Sequence, residues 1–170
     1  MTHPLANQLR FSRREFMRGL EGLTAEDAAR RLLPMNCIAW NVGHLAWQEQ
    51  RYWLYMAQEQ VPVPRLNEEF RYGAAATTPD LDEILAAWRS VTEACDPWLD
   101  AVTTATLEST AVVRGKQTEY TFGSLLLRMI YHYWYHCGEN QAIRQALGHS
   151  GLQDFVGDID TEAPYTPETL

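Results

Sequence analysis

The stretch FGSLLLRMIYHYWYHCGENQAIRQAL, residues 122–147, is the most apolar segment of the chain and predicts its longest helix. Thr121 can cap the first amides of this helix, and Gly148 can end it. At 1.5 Å per residue the helix would be about 39 Å long. Because it is apolar on nearly every face, we expect it to be buried on more than one side.

Three other segments carry apolar residues at helical spacing and have recognisable ends. Asn36 is a good N-cap for the second of them. Thr78 followed by Pro79 predicts the start of the third, which Pro97 should kink. The three segments cover about residues 4–21, 37–58 and 79–103.

The first of these helices has one apolar stripe, which includes Leu9 and Phe16 and is followed by Gly22. Its charged side chains are expected to fill the other faces of the helix. These are Arg10, Arg13, Arg14 and Glu15.

The segments between the long helices predict shorter elements. A connector helix begins at Thr24, whose hydroxyl can cap it, and ends before Pro34. Residues 62–78 have no sustained period and predict a long loop. Residues 107–120 carry β-branched side chains around RGKQ and predict a small hairpin or an extended connection. With an irregular acidic tail over about residues 150–170, the whole chain predicts a single all-α domain, a four-helix bundle.

The composition excludes several classes of protein. The chain has 170 residues, 46% of them hydrophobic, and a formal net charge of −8 from 22 acidic and 14 basic residues. Nucleic acids and anionic membranes are bound by clustered Lys and Arg, and no basic run is present. The start, MTHPLANQLRFSRRE, lacks the apolar block of a secretion signal, so we expect a cytoplasmic protein. The three cysteines lack CxxC spacing, which is typical of reduced, buried thiols.

Two histidines interrupt one face of the last predicted helix. His132 and His136 are four residues apart and therefore lie one turn apart on the same side. Leucine, methionine and isoleucine flank them on this face, so both imidazoles should point into the core, where buried polar groups need partners. The members of the face are Leu125, Met129, His132, His136, Glu139, Ile143 and Leu147.

A divalent metal ion is one candidate partner, because imidazoles at i and i+4 can coordinate one ion. His44 is the natural third ligand, since it lies midway along another helix on a polar stripe with Asn41, Gln48 and Arg51. Three neutral imidazoles would leave positions open for water or substrate, as in catalytic sites. The alternative is a pair of core histidines that are hydrogen-bonded within the protein. The HExxH and ExxH metal motifs are absent.

Two segments of the chain resemble the DinB superfamily. They are WNVGHLAWQEQRYW, residues 40–53, and HYWYHCGENQAIRQALG, residues 132–148, and the closing FVGDID and APYTPE also resemble the end of many members. The resemblance implies a four-helix bundle, often dimeric, in which His44, His132 and His136 bind a divalent ion such as zinc or nickel. It also implies an activity among thiol-dependent transferases and isomerases that use low-molecular-weight thiols, although many members have no known activity.

The leading functional hypothesis is a metal-dependent enzyme that activates a thiol or a water for attack on a small electrophile. Glu139 is a candidate for proton transfer and Gln48 for orienting a ligand. Trp40 and Tyr135 are among the aromatic residues that can line a pocket for an apolar electrophile, with Trp47 and Trp134 as the others. The apolar last helix also predicts a homodimer interface. The alternatives are a non-catalytic metal-binding stress-response protein and a purely structural bundle.

Overall fold

The computed structural model describes residues 2–154 and 156–167, and in this part the chain is mainly helical with one two-stranded sheet. Four long helical elements pack around a common apolar core, and shorter helices and the hairpin connect them. A π-helical segment, Gln50–Met56, continues the second long helix. The helices are α1 (Pro4–Arg18), α2 (Ala25–Ala29), α3 (Ile38–Glu49), α4 (Arg65–Glu69), α5 (Leu81–Ala101), α6 (Thr104–Glu108), α7 (Phe122–Ala146) and α8 (Ile159–Glu162), and the strands are β1 (Thr110–Val113) and β2 (Lys116–Thr121).

The last long helix, α7, begins and ends where its sequence predicts. The Thr121 hydroxyl accepts a hydrogen bond from the backbone N–H of Ser124 at 3.2 Å. Gly148 adopts a φ of +89° directly after the last turn, a conformation that glycine reaches without steric cost. The two ends of α7 are therefore set by local signals, a capping threonine and a terminating glycine.

Helix α3 differs from its prediction at both ends. Its N-cap position is Cys37, with no side-chain cap, so the prediction that Asn36 caps it is wrong. At its other end the α-helix changes to the π-helical segment, whose first residue, Gln50, exchanges two hydrogen bonds with the backbone of Val63. Such π-turns arise from local insertions into the helix and leave no periodic trace in a sequence.

The predicted loop over residues 62–78 contains a helical turn, α4, so the prediction of an unbroken loop is wrong there. Five residues are too few to show a helical period. Leu66 and Phe70 are nevertheless fully buried and attach this segment to the core. The start of α5 is also displaced, because Asp80 rather than Thr78 caps it, accepting from the Glu83 N–H at 3.0 Å.

The hairpin prediction before α7 is confirmed. Strands β1 and β2 are antiparallel, and the turn residues Arg114 and Gly115 both have positive φ, as two-residue hairpin turns require. The short helix α6, which precedes the hairpin, was not predicted. It is capped by Thr103, whose hydroxyl accepts from the Thr106 N–H.

The tail after α7 lies along α1 and is irregular apart from the four residues of α8. The Gln8 amide donates to the Ala163 carbonyl at 2.7 Å, and the Arg14 guanidinium pairs with Glu162 at 2.7 Å. Phe155 and residues 168–170 of the predicted tail lie outside the described residues.

The charged face of α1 differs most from expectation. Arg13 and Glu15 are buried, whereas the sequence placed them on faces away from the apolar stripe. Arg13 reaches Glu49 of α3, which is also completely buried. Arg13 can be buried because its positive charge is paired with the negative charge of Glu49 on another helix. The sequence pattern of one helix cannot reveal a partner on a different helix. Among the described residues no helix is both long and apolar enough to cross a membrane.

Candidate metal centre

Three histidine rings from two helices meet at one point beside an open cavity. His44 comes from α3, and His132 and His136 come from successive turns of α7. One nitrogen of each ring lies within 4.8 Å of the others. The Nε2 atoms of His132 and His136 are 3.0 Å apart. Residues 88 positions apart in the chain thus offer a group of nitrogens that could hold a metal ion.

His44 is held in a fixed orientation by its neighbours. Its ring stacks between Trp40 and Trp47, with centroid distances of 4.9 and 5.3 Å. Its Nδ1 lies 2.7 Å from the Phe70 carbonyl oxygen and must donate to it, because a carbonyl only accepts. The Nε2 of the neutral ring therefore keeps its lone pair free for a ligand bond.

The close approach of Phe70 depends on a glycine. A Cβ added to Gly43 would lie 2.5 Å from a ring carbon of Phe70, closer than atoms can pack. Gly43 therefore lets the segment after α4 press against α3 and deliver the Phe70 carbonyl to His44.

His136 is oriented by a carboxylate. Its Nδ1 donates to Glu139 Oε2 at 2.7 Å, and the same oxygen accepts from the Asn41 amide at 2.9 Å. The hydrogen bond from His136, followed by Asn41, lowers the pKa of Glu139 despite partial burial, so the carboxylate is ionised at neutral pH. A carboxylate behind a histidine fixes its tautomer and raises its basicity, the usual support of a metal-ligating imidazole.

Two rings of the cluster, His44 and His132, are neutral at physiological pH. Burial lowers the pKa of His44 to about 4, and the nearby His136 lowers it further while the Phe70 carbonyl opposes the shift. Burial, followed by the other two histidines, lowers the pKa of His132 to about 3. Both rings are therefore in the neutral form that coordinates metals.

The spacing of two of the donors fits a divalent ion. Two ligand nitrogens at 2.0–2.1 Å from one ion are separated by about 2.8–3.4 Å for coordination angles between octahedral and tetrahedral values. The 3.0 Å between His132 and His136 lies within this range. Since His44 and His136 each donate through Nδ1, both present an Nε2 lone pair. The three imidazoles thus suit zinc, nickel, iron or copper.

The cluster forms part of the wall of a cavity of about 560 Å³ that opens to solvent. Of the aromatic residues that line it, Trp40 is buried, while Tyr72 and Tyr135 are largely exposed at its rim. Asn36, Gly73 and Ala74 also line it. None of the residues lining this cavity is a lysine or an arginine, so the surface around the histidines is aromatic and uncharged apart from Glu139.

The other residues singled out by the sequence lie in different surroundings. Gln48 is buried one turn beyond His44, and its Nε2 has no hydrogen-bond partner among the described residues. Arg51 is exposed, with its guanidinium over the rings of Trp47 and Tyr52. Cys37 is buried and donates to the Thr77 carbonyl at 3.4 Å.

Two further aromatic or histidine residues lie outside the cavity lining. Trp134 packs against Phe11 of α1. His149 lies between Asp27 and Arg144, in a cluster of its own.

Sequence reasoning missed the groups that position the histidines. The Phe70 carbonyl is a backbone atom of a segment predicted to be loop, so no side-chain motif could have marked it. Tyr72 follows the same segment. Asn41 was recognised as a member of the polar stripe on α3. Because it lies three residues before His44 on the same face, a role near the histidine could have been predicted from this interval.

Comparison with known proteins is consistent with this arrangement. No curated protein matches the chain significantly. The family model of the DinB superfamily matches residues 8–139, well over half of the chain, and the match includes His44, His132, His136 and Glu139. The chain belongs to the DinB superfamily.

Proposed function

We propose that the protein is a metal-dependent enzyme built on a four-helix bundle, with a divalent ion, zinc or nickel, held by His44, His132 and His136. Its reaction is the attack of an activated low-molecular-weight thiol or water on a small electrophile. The observation that carries the proposal is the convergence of one ring nitrogen from each of three histidines within 4.8 Å at the wall of an open cavity.

The protein supplies the ligands in the correct state. The Phe70 carbonyl and the Glu139 carboxylate each accept a hydrogen bond from the Nδ1–H of a histidine, which leaves the Nε2 lone pairs of His44 and His136 available for a common ion. When bound, a divalent ion lowers the pKa of a coordinated thiol or water and so supplies a nucleophile at neutral pH.

Two further side chains have proposed roles. Glu139 lines the cavity as an ionised carboxylate, so it can orient His136 and accept a proton from an incoming nucleophile. Gln48 is proposed as an orienting residue, because its buried Nε2 retains a donor that no described group uses.

The electrophile is expected to be small and apolar. The cavity is of the size that small ligands occupy, and its rim is formed by the aromatic rings of Tyr72 and Tyr135. Exposed aromatic rings of this kind favour flat or apolar molecules through stacking.

The metal is tested first, on protein purified without a polyhistidine tag. Metal analysis should find about one equivalent of a divalent ion per chain, and the His132→Ala variant should retain much less. A metal-free chain whose thermal stability does not change on addition of zinc or nickel would contradict the metal site and leave hydrogen-bonded structural histidines.

The reaction is tested on the loaded protein. Incubation with bacillithiol, mycothiol or glutathione and a panel of electrophiles should give a rate above that of His132→Ala. If the protein binds the ion and no member of the panel reacts, the alternative of a non-catalytic metal-binding stress-response protein is favoured instead.

We extend the proposal to a homodimer formed along α7. Leu127, Tyr131 and Tyr135 succeed one another at intervals of four residues and are 38%, 65% and 69% exposed. An apolar stripe of this kind on a helix is typical of an interface. Light scattering should give twice the chain mass, and Tyr131→Lys should give the monomer mass.

A further inference from the structure

A second polar cluster lies inside the helical core and plays no part in the proposed reaction. We call it the Glu49 network, and it joins all four long helices. Glu49 and Tyr133 are fully buried, and Arg13 is nearly so. Its members are Arg13 on α1, Glu49 on α3, Trp88 and Asp96 on α5, and Tyr133 on α7.

The Glu49 carboxylate is the common acceptor of the network. Arg13 donates to both of its oxygens, through Nε at 2.7 Å and Nη2 at 2.8 Å. Tyr133 donates its hydroxyl to Glu49 Oε1 at 2.9 Å, and Trp88 in turn donates to the tyrosine oxygen at 2.9 Å. The remaining Arg13 nitrogen reaches Asp96 at 2.9 Å.

Such a network is a costly way to stabilise a core. Removing two charges from water costs several kcal/mol per ion in general, and apolar residues of similar volume are often at least as stabilising. The best-attested use of a buried polar group is to select one register between packed helices. A polar network that selects one register of α7 against α3 therefore suggests that another feature of the protein depends on this register.

The metal centre is such a feature, and it lies next to the network on both helices. Tyr133 follows His132 directly on α7, and Glu49 lies five residues after His44 on α3, about 7.5 Å along the axis. A slide of α7 by one residue would move its histidines by about 1.5 Å. Metal–ligand distances tolerate only about 0.2 Å.

Helix α3 also changes character at this point. Glu49 is its last α-helical residue, and the π-helical segment begins at Gln50. Beyond Glu49 the side chains of this helix no longer follow the α-helical spacing that places His44. A bond to α7 at Glu49 therefore fixes the register at the last position where that spacing holds.

We propose that Tyr133 is a positioning residue of the metal centre: its hydrogen bond to Glu49 fixes α7 against α3, so that His132 and His136 meet His44. This inference rests on the proposed metal site. Tyr133 itself contacts neither the cavity nor the histidine nitrogens in the described contacts.

The test compares two variants that disturb the same hydroxyl in different ways. Tyr133→Phe removes the bond to Glu49 and retains the ring that packs edge-on against Phe16. Trp88→Phe removes the other bond of the hydroxyl and leaves the bond between α7 and α3 intact. Zinc affinity is measured by competition with a chelator, and the absorption spectrum of the cobalt-loaded protein reports coordination geometry.

Tyr133→Phe is expected to bind zinc about tenfold more weakly, the lower end of what loss of an outer support costs a metal site, and to alter the cobalt spectrum. Trp88→Phe should stay within about twofold of the wild type. Each variant is checked for folding by circular dichroism. If Tyr133→Phe does not fold, the double variant with Trp88→Phe, which leaves no orphaned indole donor, is expected to show the same tenfold loss.

The outcomes separate the positioning role from the metal site itself. Wild-type affinity and spectrum in Tyr133→Phe overturn the positioning role while the metal site stands. An equal loss in both single variants also overturns it, because it indicates general loosening of the core. A wild-type protein that binds no ion overturns the metal site and, with it, this inference.

Discussion

The histidine cluster and the Glu49 network lie side by side on α3 and α7, and both place polar groups inside a helical core. In the Glu49 network each guanidinium nitrogen of Arg13, the Tyr133 hydroxyl and the Trp88 indole donates to an acceptor within the network. In the histidine cluster the Nδ1 atoms of His44 and His136 are matched, by Phe70 and Glu139. The inward-facing nitrogens face each other across 3.0 Å, where at most one of His132 and His136 can donate.

The difference separates a structural cluster from a candidate ligand site. Polar groups that only maintain a fold are completed by other groups of the fold. Ring nitrogens that converge on one another beside an open cavity can instead be completed by an ion that enters from outside. The two regions therefore predict opposite responses to substitution and to metal.

The largest effect is expected from breaking the complete network. Glu49→Ala leaves the buried Arg13 guanidinium with only Asp96, a half-exposed carboxylate, as an ion-pair partner, which should lower the free energy of unfolding by about 3 kcal/mol. Urea titration measures the loss. The matched double variant Arg13→Met with Glu49→Leu removes both charges and should recover most of the stability. A loss below about 1 kcal/mol in Glu49→Ala would show instead that water solvates the pair.

The incomplete cluster should gain stability from an ion instead. Zinc at a free concentration one hundred times its dissociation constant should raise the free energy of unfolding by about 2.7 kcal/mol. The increase should disappear with a chelator and in His136→Ala. Thermal unfolding with and without metal provides the measurement, and an equal increase in wild type and His136→Ala would place zinc binding elsewhere on the chain.

The support behind the cluster should matter somewhat less. Glu139→Gln weakens the acceptor for His136 Nδ1 and should reduce metal affinity by about tenfold to a hundredfold, or about 1.4–2.7 kcal/mol. Glu108→Gln, which changes an exposed carboxylate of α6, serves as the control with no expected change. Calorimetric titration compares the two, and equal affinities would assign Glu139 no part in holding His136.

The smallest effect is expected at the ion pair between Glu15 and Arg18, which lies at the edge of the core and belongs to neither cluster. The hydrogen bond from Arg18 lowers the pKa of Glu15 in the folded state. A lowered folded pKa contributes stability above the unfolded pKa of about 4.3, and this contribution is lost as the pH falls through the folded value. Glu15→Gln should therefore cost about 1 kcal/mol at pH 7, and the cost should become smaller as the pH is lowered toward 2. Urea titrations at both pH values measure this, and a pH-independent cost would assign the effect to packing.

Much of the fold was predictable because it depends on local signals. The bounds of α7 follow from a capping threonine and a terminating glycine, and the hairpin follows from β-branched residues around Arg114 and Gly115. The predictions failed where tertiary contacts decided the local structure. α4 is too short for a period and forms because Leu66 and Phe70 can be buried, and the π-helical segment is accompanied by the Gln50 contacts with Val63.

The candidate site divides in the same way. The interval between His132 and His136 placed two imidazoles on one face, and the polar stripe on α3 selected His44, because helical period alone fixes which side chains share a face. Whether the two faces meet, at what distance and with which nitrogen exposed depends on groups remote in sequence. The Phe70 carbonyl, Asn41 and the Glu49 network belong to this second class.

The sequence by itself determined the helical class, the family, the bounds of α7 and the face on which each histidine lies. The family follows from the resemblance of residues 40–53 and 132–148, and the other three follow from the backbone period and from residues within a few positions of one another. The tertiary structure alone decided that three ring nitrogens come within 4.8 Å, that Arg13 and Glu49 are buried together, and that a backbone carbonyl fixes the tautomer of His44. The physical reason is that long-range packing sets the separation of two helices, and coordination and charge burial depend on that separation to a fraction of an ångström.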